Sequence, residues 1–254
     1  MSALFVAWRS GGESNGAWGP VGRLEFDGTD YRFFYTQGAR TLPGFQPFYG
    51  MESLTTVYTS SALFPLFANR LLSKKRPEYE RYLQWGGFDP NNPPEPIAIL
   101  GLTEGIRQTD SVEVFPCPEP DGDGCYLNRF FLHGIRFSTP EGIARVNQLK
   151  SGNVLRIEPE PLNPIDINAI AVFPGGESVR IGYVPRYFAH DARTLLDQCH
   201  PEFITLKVEL VNHDAPLQQR ILCRMTACWP IGFRPCRGPA FDPIPEGIEA
   251  ACPV

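Results

Sequence analysis

The 254-residue chain is 43% hydrophobic and 20% charged, with a formal net charge of −5. That hydrophobic share supports a buried core and excludes wholesale disorder, and the length suits one large domain or two modest ones. Its 26 prolines and 24 glycines, dispersed without a period, argue for many short strands and turns rather than a helical bundle.

The opening MSALFVAWRSGGE has only a short apolar run and no signal-peptide cleavage pattern. No stretch approaches the roughly 18 apolar residues of a membrane span, so a soluble, cytoplasmic protein is expected. The glycine-rich GGESNGAWG at 11–19 lacks the strand–loop–helix setting that cradles phosphate, and reads as a mobile turn. VGRLEFDGTDYRFFYTQGA follows as a hairpin, its two β-rich runs flanking Asp27-Gly28, a pair that favours a tight primed turn. SSALFPLFANRLL reads as a helix with Leu63, Phe64, Phe67 and Leu71 on one stripe. RPEYERYLQW reads as another, with Pro77 in its first turn and Tyr79, Tyr82 and Leu83 together.

FPCPEPDGDGC at 115–125 can hold neither ladder nor helix and marks a boundary. Charge divides near it. Residues 1–124 carry 10 basic and 15 acidic side chains, 125–238 carry 13 and 10, and the last 16 residues carry three acids and no base. The expected organisation is a small N-terminal α+β domain at 1–115, a linker at 116–124, a second domain at 125–238 and an irregular acidic tail at 239–254 that packs weakly or hangs free.

In the second domain RFFLHGIRF reads as a strand. STPEGIARVNQL reads as a helix opened by a capping box from Ser138 to Glu141, with Ile143, Val146 and Leu149 inward. NVLRIEP is a strand, NPIDINAIAV a loop running into the next, and PGGESVRIGYV a hairpin. PRYFAHDARTLLDQC is a helix burying Phe188, Leu195 and Leu196. FITLKVELV alternates, with Ile204, Leu206, Val208 and Leu210 on one side. QRILCRMTAC closes an inventory of short strands and two helices that fits a small barrel. The predicted class is therefore α+β, β-rich.

Chemistry-bearing motifs are sparse. GxxxxGK[ST], GxSxG and HExxH are absent, as is CxxC, and no HxxxH occurs among the four histidines. No metal, no cofactor and no enzymatic activity are expected. The seven cysteines (Cys117, Cys125, Cys199, Cys223, Cys228, Cys236, Cys252) are expected as reduced thiols. The suggestive cluster is Asn163, Asp166 and Asn168, three short polar side chains where a strand begins. They can cap an Asx-type turn or be held out for a ligand.

HGIRF, LKSGNVLRIEPEPLNPIDINAIAVF and VRIGYVPR resemble a HIRAN domain over residues 127–230, a module of some helicase-like chromatin remodellers and of standalone bacterial proteins. The resemblance implies an OB-like β-barrel with two packed helices, and binding of single-stranded DNA by its 3′-hydroxyl end. By position, Phe137 would be the stacking ring with Arg136 beside it. Asp166 would accept the sugar hydroxyl, Asn163 would brace the loop, and Tyr183 and Arg186 would line the phosphate path. Ile165 departs from the family, which has an aromatic there. In the plainer alternative Asn163 and Asp166 only cap a turn, Phe137 is core and Tyr183 fills the barrel.

The first half, through VGRLEFDGTDYRFFYTQGA, YTSSALFPLFANRLL and PEPIAILGL, is similar to the small N-terminal subdomain of HipA-type kinases, toxins of toxin–antitoxin modules. That resemblance implies a non-catalytic surface around Phe64, Phe67, Asn69 and Arg70 that docks on a HipA-like kinase. Two roles follow. One is the antitoxin-type or accessory partner of such a kinase, with the HIRAN domain contacting DNA. The other is a standalone binder of DNA 3′ ends in repair or phage defence. A barrel that only scaffolds is the bland third.

Overall fold

A computed structural model describes residues 2–10, 18–107 and 110–248; most of the glycine-rich stretch 11–19 and Cys252 lie outside them. The chain forms two compact units. The first comprises residues up to 80, 91–117 and those from 234 onward; the second comprises 81–90 and 118–233. Each has its own antiparallel sheet, so the β-rich α+β class expected from the sequence holds. The ten residues 81–90, which chain order puts with the first half, group with the second unit.

The first unit is built on β1 (Ser2–Arg9), β2 (Trp18–Phe26), β3 (Tyr31–Tyr35), β4 (Tyr58–Ser60) and β5 (Val112–Pro116), in the order β4-β3-β2-β1-β5. The Asp27-Gly28 hairpin is present, pairing Phe26 with Tyr31. Its turn is not the two-residue primed type. Only Gly28 has positive φ, and the Asp27 carboxylate accepts from the Thr29 and Asp30 N–H groups at 2.8 and 2.9 Å. Those bonds hold the Asp27 carboxyl below the ordinary range. Helices α1 (Gly38–Thr41), α2 (Pro65–Ala68) and, after α3 (Tyr79–Trp85), most of which groups with the second unit, α4 (Pro96–Thr103) follow. The backbone of α4 approaches β1 closely, since a Cβ on Gly101 would lie 2.7 Å from a Leu4 methyl.

The expected docking surface of this unit is largely internal. Only Pro65–Ala68 of the predicted long helix is helical. Phe67 is fully buried in the core with Leu24, Phe33 and Leu100, and Phe64 packs half-buried against it. Arg70, expected at a partner surface, is turned inward with its side chain 1% exposed. Its guanidinium donates to the carbonyls of Gly105 and Val112 and to the Asp110 carboxylate at 2.8–3.0 Å, tying the α4–β5 connection to the α2 segment. Of the four residues Asn69 alone is exposed. The tail is anchored at residues 241–244. Gln37 N–H donates to Asp242, Ile244 N–H donates to Tyr35, and Phe241 packs edge-on against Phe5. Ile244 is buried. Apolar β-sheet surface needs a cover, and here the C-terminal segment supplies part of it.

The second unit's strands are β6 (Tyr126–Phe131), β7 (Val154–Pro159), β8 (Ile170–Pro174), β9 (Gly182–Tyr183), β10 (Thr205–Val211) and β11 (Ile221–Ala227), ordered β6-β11-β10-β7-β8-β9. The sheet curls until its two edges meet. His133, just past β6, exchanges backbone hydrogen bonds with Tyr183 of β9 at 3.0 and 2.9 Å. Helices α5 (Pro140–Gln148) and α6 (Arg186–Gln198) bury Val146, Phe188 and Leu195 as expected. The cap of α5 is Thr139, not Ser138: its hydroxyl accepts from Gly142 N–H at 3.2 Å, with Pro140 in the first helical position. Glu209 sits at a register shift in β10, which breaks the expected alternation. A bulge re-aims a side chain, and Glu209 takes Arg129 at 2.6–3.0 Å and Arg224 at 3.2 Å. Arg129 and Asn212 also bind the Gly86 and Trp85 carbonyls, which docks residues 81–90 onto the sheet.

Cys199 and Cys228 are joined in a disulfide, a departure from the expected reduced thiols. The fold brings the end of α6 and the end of β11 to a Cα separation of 6.2 Å, within the range a disulfide spans. Among the described residues no helix is long and apolar enough to cross a membrane.

Candidate nucleic-acid interface

Where the barrel edges meet, β6 runs through His133 and Gly134 into a 3-10 turn, Ile135–Phe137. Gly134 has φ 70°, and a Cβ there would lie 2.8 Å from the Tyr183 ring, so glycine is needed on both counts. Buried Ile135 pins the turn and leaves Phe137 64% exposed. The Arg136 guanidinium lies 4.5 Å from the Phe137 ring centroid. Phe137 is thus an outward ring with a cation on it, not a core residue.

The second element is the loop between β7 and β8. Its base is closed by Glu160 N–H donating to Ala169 at 2.8 Å. Asn163 Oδ1 accepts from the N–H groups of Ile165 and Asp166 at 3.0 and 3.1 Å, and Asp166 Oδ1 accepts from Asn168 N–H at 2.9 Å. These are successive Asx turns, the local chemistry open to short polar side chains. They hold Leu162, Ile165 and Ile167 outward at 93%, 56% and 67% exposure.

Asp166 does not stand free. Arg186, the first residue of α6, donates from Nε to Asp166 Oδ2 at 3.2 Å and from Nη2 to the Ile165 carbonyl at 2.9 Å. Arg193, two turns further on, donates to the Ile167 carbonyl at 3.1 Å. Arg186 is therefore first a clamp on the loop. Tyr183 is half-buried: the Arg180 guanidinium covers its ring at 4.7 Å, and the Gly134 backbone crowds its edge. Its ring packs against the Gly134 turn and under Arg180 rather than standing open.

Two members of the site escape sequence reasoning, Glu160 and Arg180. The Glu160 carboxylate accepts from Asn163 Nδ2 at 2.6 Å, Tyr183 Oη at 2.8 Å and Arg180 at 3.2 Å. Burial acts to raise the Glu160 carboxyl, but these hydrogen bonds and the Arg180 charge together bring it below the usual range. Burial, then the bond to Glu160, pushes the Tyr183 hydroxyl up. Neither residue falls within the NPIDIN motif, and their meeting depends on the β8–β9 register. Other arginines of this unit are also matched by acids, Arg145 by Glu177 and Arg156 by Glu158. Much of the unit's basic charge is thus paired within the fold, and a net charge of +3 remains over residues 125–238.

Residues 126–226 match the family model of the HIRAN domain. This HIRAN segment runs from β6 to near the end of β11, so it takes in all the strands of the curled sheet, the Phe137 turn and the Asn163–Asn168 loop. Two solved structures are similar to it. One is the HIRAN domain of human HLTF, 18% identical, covering 40% of this chain and 74% of that one, with a TM-score of 0.31. The other is a protein from Lactobacillus plantarum, 21% identical, covering 41% and 97%, also with a TM-score of 0.31. No curated protein matches the chain. None of these comparisons supports the resemblance of residues 1–115 to HipA-type kinases.

Proposed function

We propose that the HIRAN segment binds single-stranded DNA at a free 3′ end and that the protein acts as a binding module without chemistry of its own. The observation that carries this reading is Phe137, a large ring kept in solvent on a tight turn under Arg136. Burying such a ring is favourable, so its exposure calls for a ligand with a flat apolar face. Nucleobases supply one, and each base stacked on an aromatic contributes about 1–3 kcal/mol. Arg136 is placed to exchange its contact with one face of the ring for a backbone phosphate, which opens that face to a base, while Ile165 and Ile167 offer exposed apolar area. Asp166 takes the terminal hydroxyl on its solvent-facing side. Each of its oxygens has two lone pairs and one bond in the structure, so a charge-assisted bond to a hydroxyl fits without breaking the Arg186 clamp.

Fluorescence anisotropy with short single strands ending in a 3′-hydroxyl or a 3′-phosphate tests the reading. Wild type is expected to prefer the free hydroxyl. Phe137→Ala is expected to weaken binding to both ends, and Asp166→Ala to remove the preference. Binding that neither variant changes rules out this face as the DNA site.

A further inference from the structure

We propose that Glu160 is the positioning residue of this interface: its carboxylate ties the Asp166 loop, through Asn163, to Tyr183 of β9. The inference rests on the DNA-binding reading and concerns how that site is built. Glu160 gathers three donors from separate places, Asn163 of the loop, Arg180 before β9 and Tyr183 within it. Asn163 spends its carbonyl oxygen on the N–H groups of Ile165 and Asp166. Its amide nitrogen is therefore a second handle on that turn besides the Arg186 clamp, and it is held by Glu160, with Tyr183 Oη at 3.3 Å as a further contact. Tyr183 carries the backbone bridge to His133, which leads into the Phe137 turn. One carboxylate thus joins the loop bearing Asp166 to the strand bridged to His133.

The charge of Glu160 has a second consequence. It balances Arg180 where that guanidinium covers the Tyr183 ring. Without it, Asn163, Tyr183 and Arg180 share no acceptor, and an uncompensated cation faces the loop. A glutamine in its place keeps one acceptor oxygen but presents an NH2 group to donors. Only part of the network can survive that exchange. Alanine leaves only the contact of Asn163 Nδ2 with Tyr183 Oη at 3.3 Å.

Two measurements test this, one without DNA. In the free protein, Glu160→Ala is expected to lose hydrogen-exchange protection at residues 163–168 relative to wild type, with protection in β10 and β11 unchanged. Unaltered protection at 163–168 overturns the inference whether or not the protein binds DNA. Loss of protection across the whole barrel also overturns it, because Glu160 would then be a general fold residue. The second measurement is a double-mutant cycle on binding to a single strand with a free 3′-hydroxyl. Glu160→Ala is expected to weaken binding about tenfold and bring the hydroxyl-to-phosphate ratio toward one, with Glu160→Gln intermediate. Its effect should be non-additive with Asn163→Ala and additive with Phe137→Ala; the reverse pattern overturns the inference. Wild type with no end preference defeats the DNA-end reading instead, and the exchange experiment still decides the role of Glu160.

Discussion

Phe67 and Phe137 were both singled out from the sequence as binding residues, each beside arginine, and the fold treats them oppositely. Phe67 is fully buried in the first unit, while Phe137 is 64% exposed in the second. Their arginines diverge in the same way. Arg70 is drawn inside to satisfy two carbonyls and Asp110, and Arg136 lies on the surface against its own neighbour's ring. An aromatic next to a cation therefore says little about binding until burial is known. What separates the two cases is backbone geometry. A short helix turns Phe67 onto an open sheet, whereas a 3-10 turn started by Gly134 turns Phe137 away from a barrel already filled by Phe130, Phe131 and Phe188.

The contrast can be broken experimentally. Phe67→Ala is expected to cost about 3–5 kcal/mol of stability in urea unfolding, the range for deleting a buried ring. Phe137→Ala is expected to stay within about 0.5 kcal/mol of wild type, as surface changes do. Equal costs would show that both rings belong to cores. Next, Arg70→Met is expected to destabilise by about 2–4 kcal/mol, since two carbonyls and a carboxylate lose their buried donor. Arg136→Met should leave thermal unfolding unchanged and weaken DNA binding alone.

Gly134→Ala sharpens the comparison at the turn itself. A side chain at φ 70° that also meets the Tyr183 ring is expected to cost about 1–3 kcal/mol and to lower DNA affinity with it, read by thermal unfolding and anisotropy together. The smallest effect is acidic. Glu160 is held below its ordinary value, so its contribution is fully present above the unfolded-state carboxyl pKa, about 4.5, and is lost as pH falls through the lower folded value. Because the group is about one-third exposed, solvent screening keeps the loss to roughly a few tenths of a kcal/mol. Acid titration followed by hydrogen exchange at 163–168 should show that loss in wild type and not in Glu160→Gln.

Much of the second unit was legible because its signals are local. The β8–β9 hairpin, both helices and the Asx turns of the NPIDIN loop depend on residues a few positions apart, and the family resemblance placed the barrel. Where the reading stayed local it still slipped by a step, as at the α5 cap, where Thr139 rather than Ser138 precedes Pro140. The first unit was harder. Leu63, Phe64, Phe67 and Leu71 keep helical spacing, yet packing against Phe33 and its neighbours leaves only one turn of helix.

By itself the amino-acid sequence determined the β-rich class, the Asp27-Gly28 hairpin, the turn chemistry of Asn163 and Asp166, and the presence of a HIRAN-like segment. Each follows from backbone preferences or hydrogen bonds over a few residues, which a linear pattern records. Only the tertiary structure decided that Arg70 goes inward and that Arg186 clamps Asp166 from across the β8–α6 connection. It also decided that Glu160 gathers Asn163, Arg180 and Tyr183, and that residues beyond 234 complete the first unit. Those partners lie about 20 or more residues apart in most cases, and a charged side chain's partner is set by which strands and loops the fold brings within hydrogen-bond reach. Spacing along the chain carries no record of that.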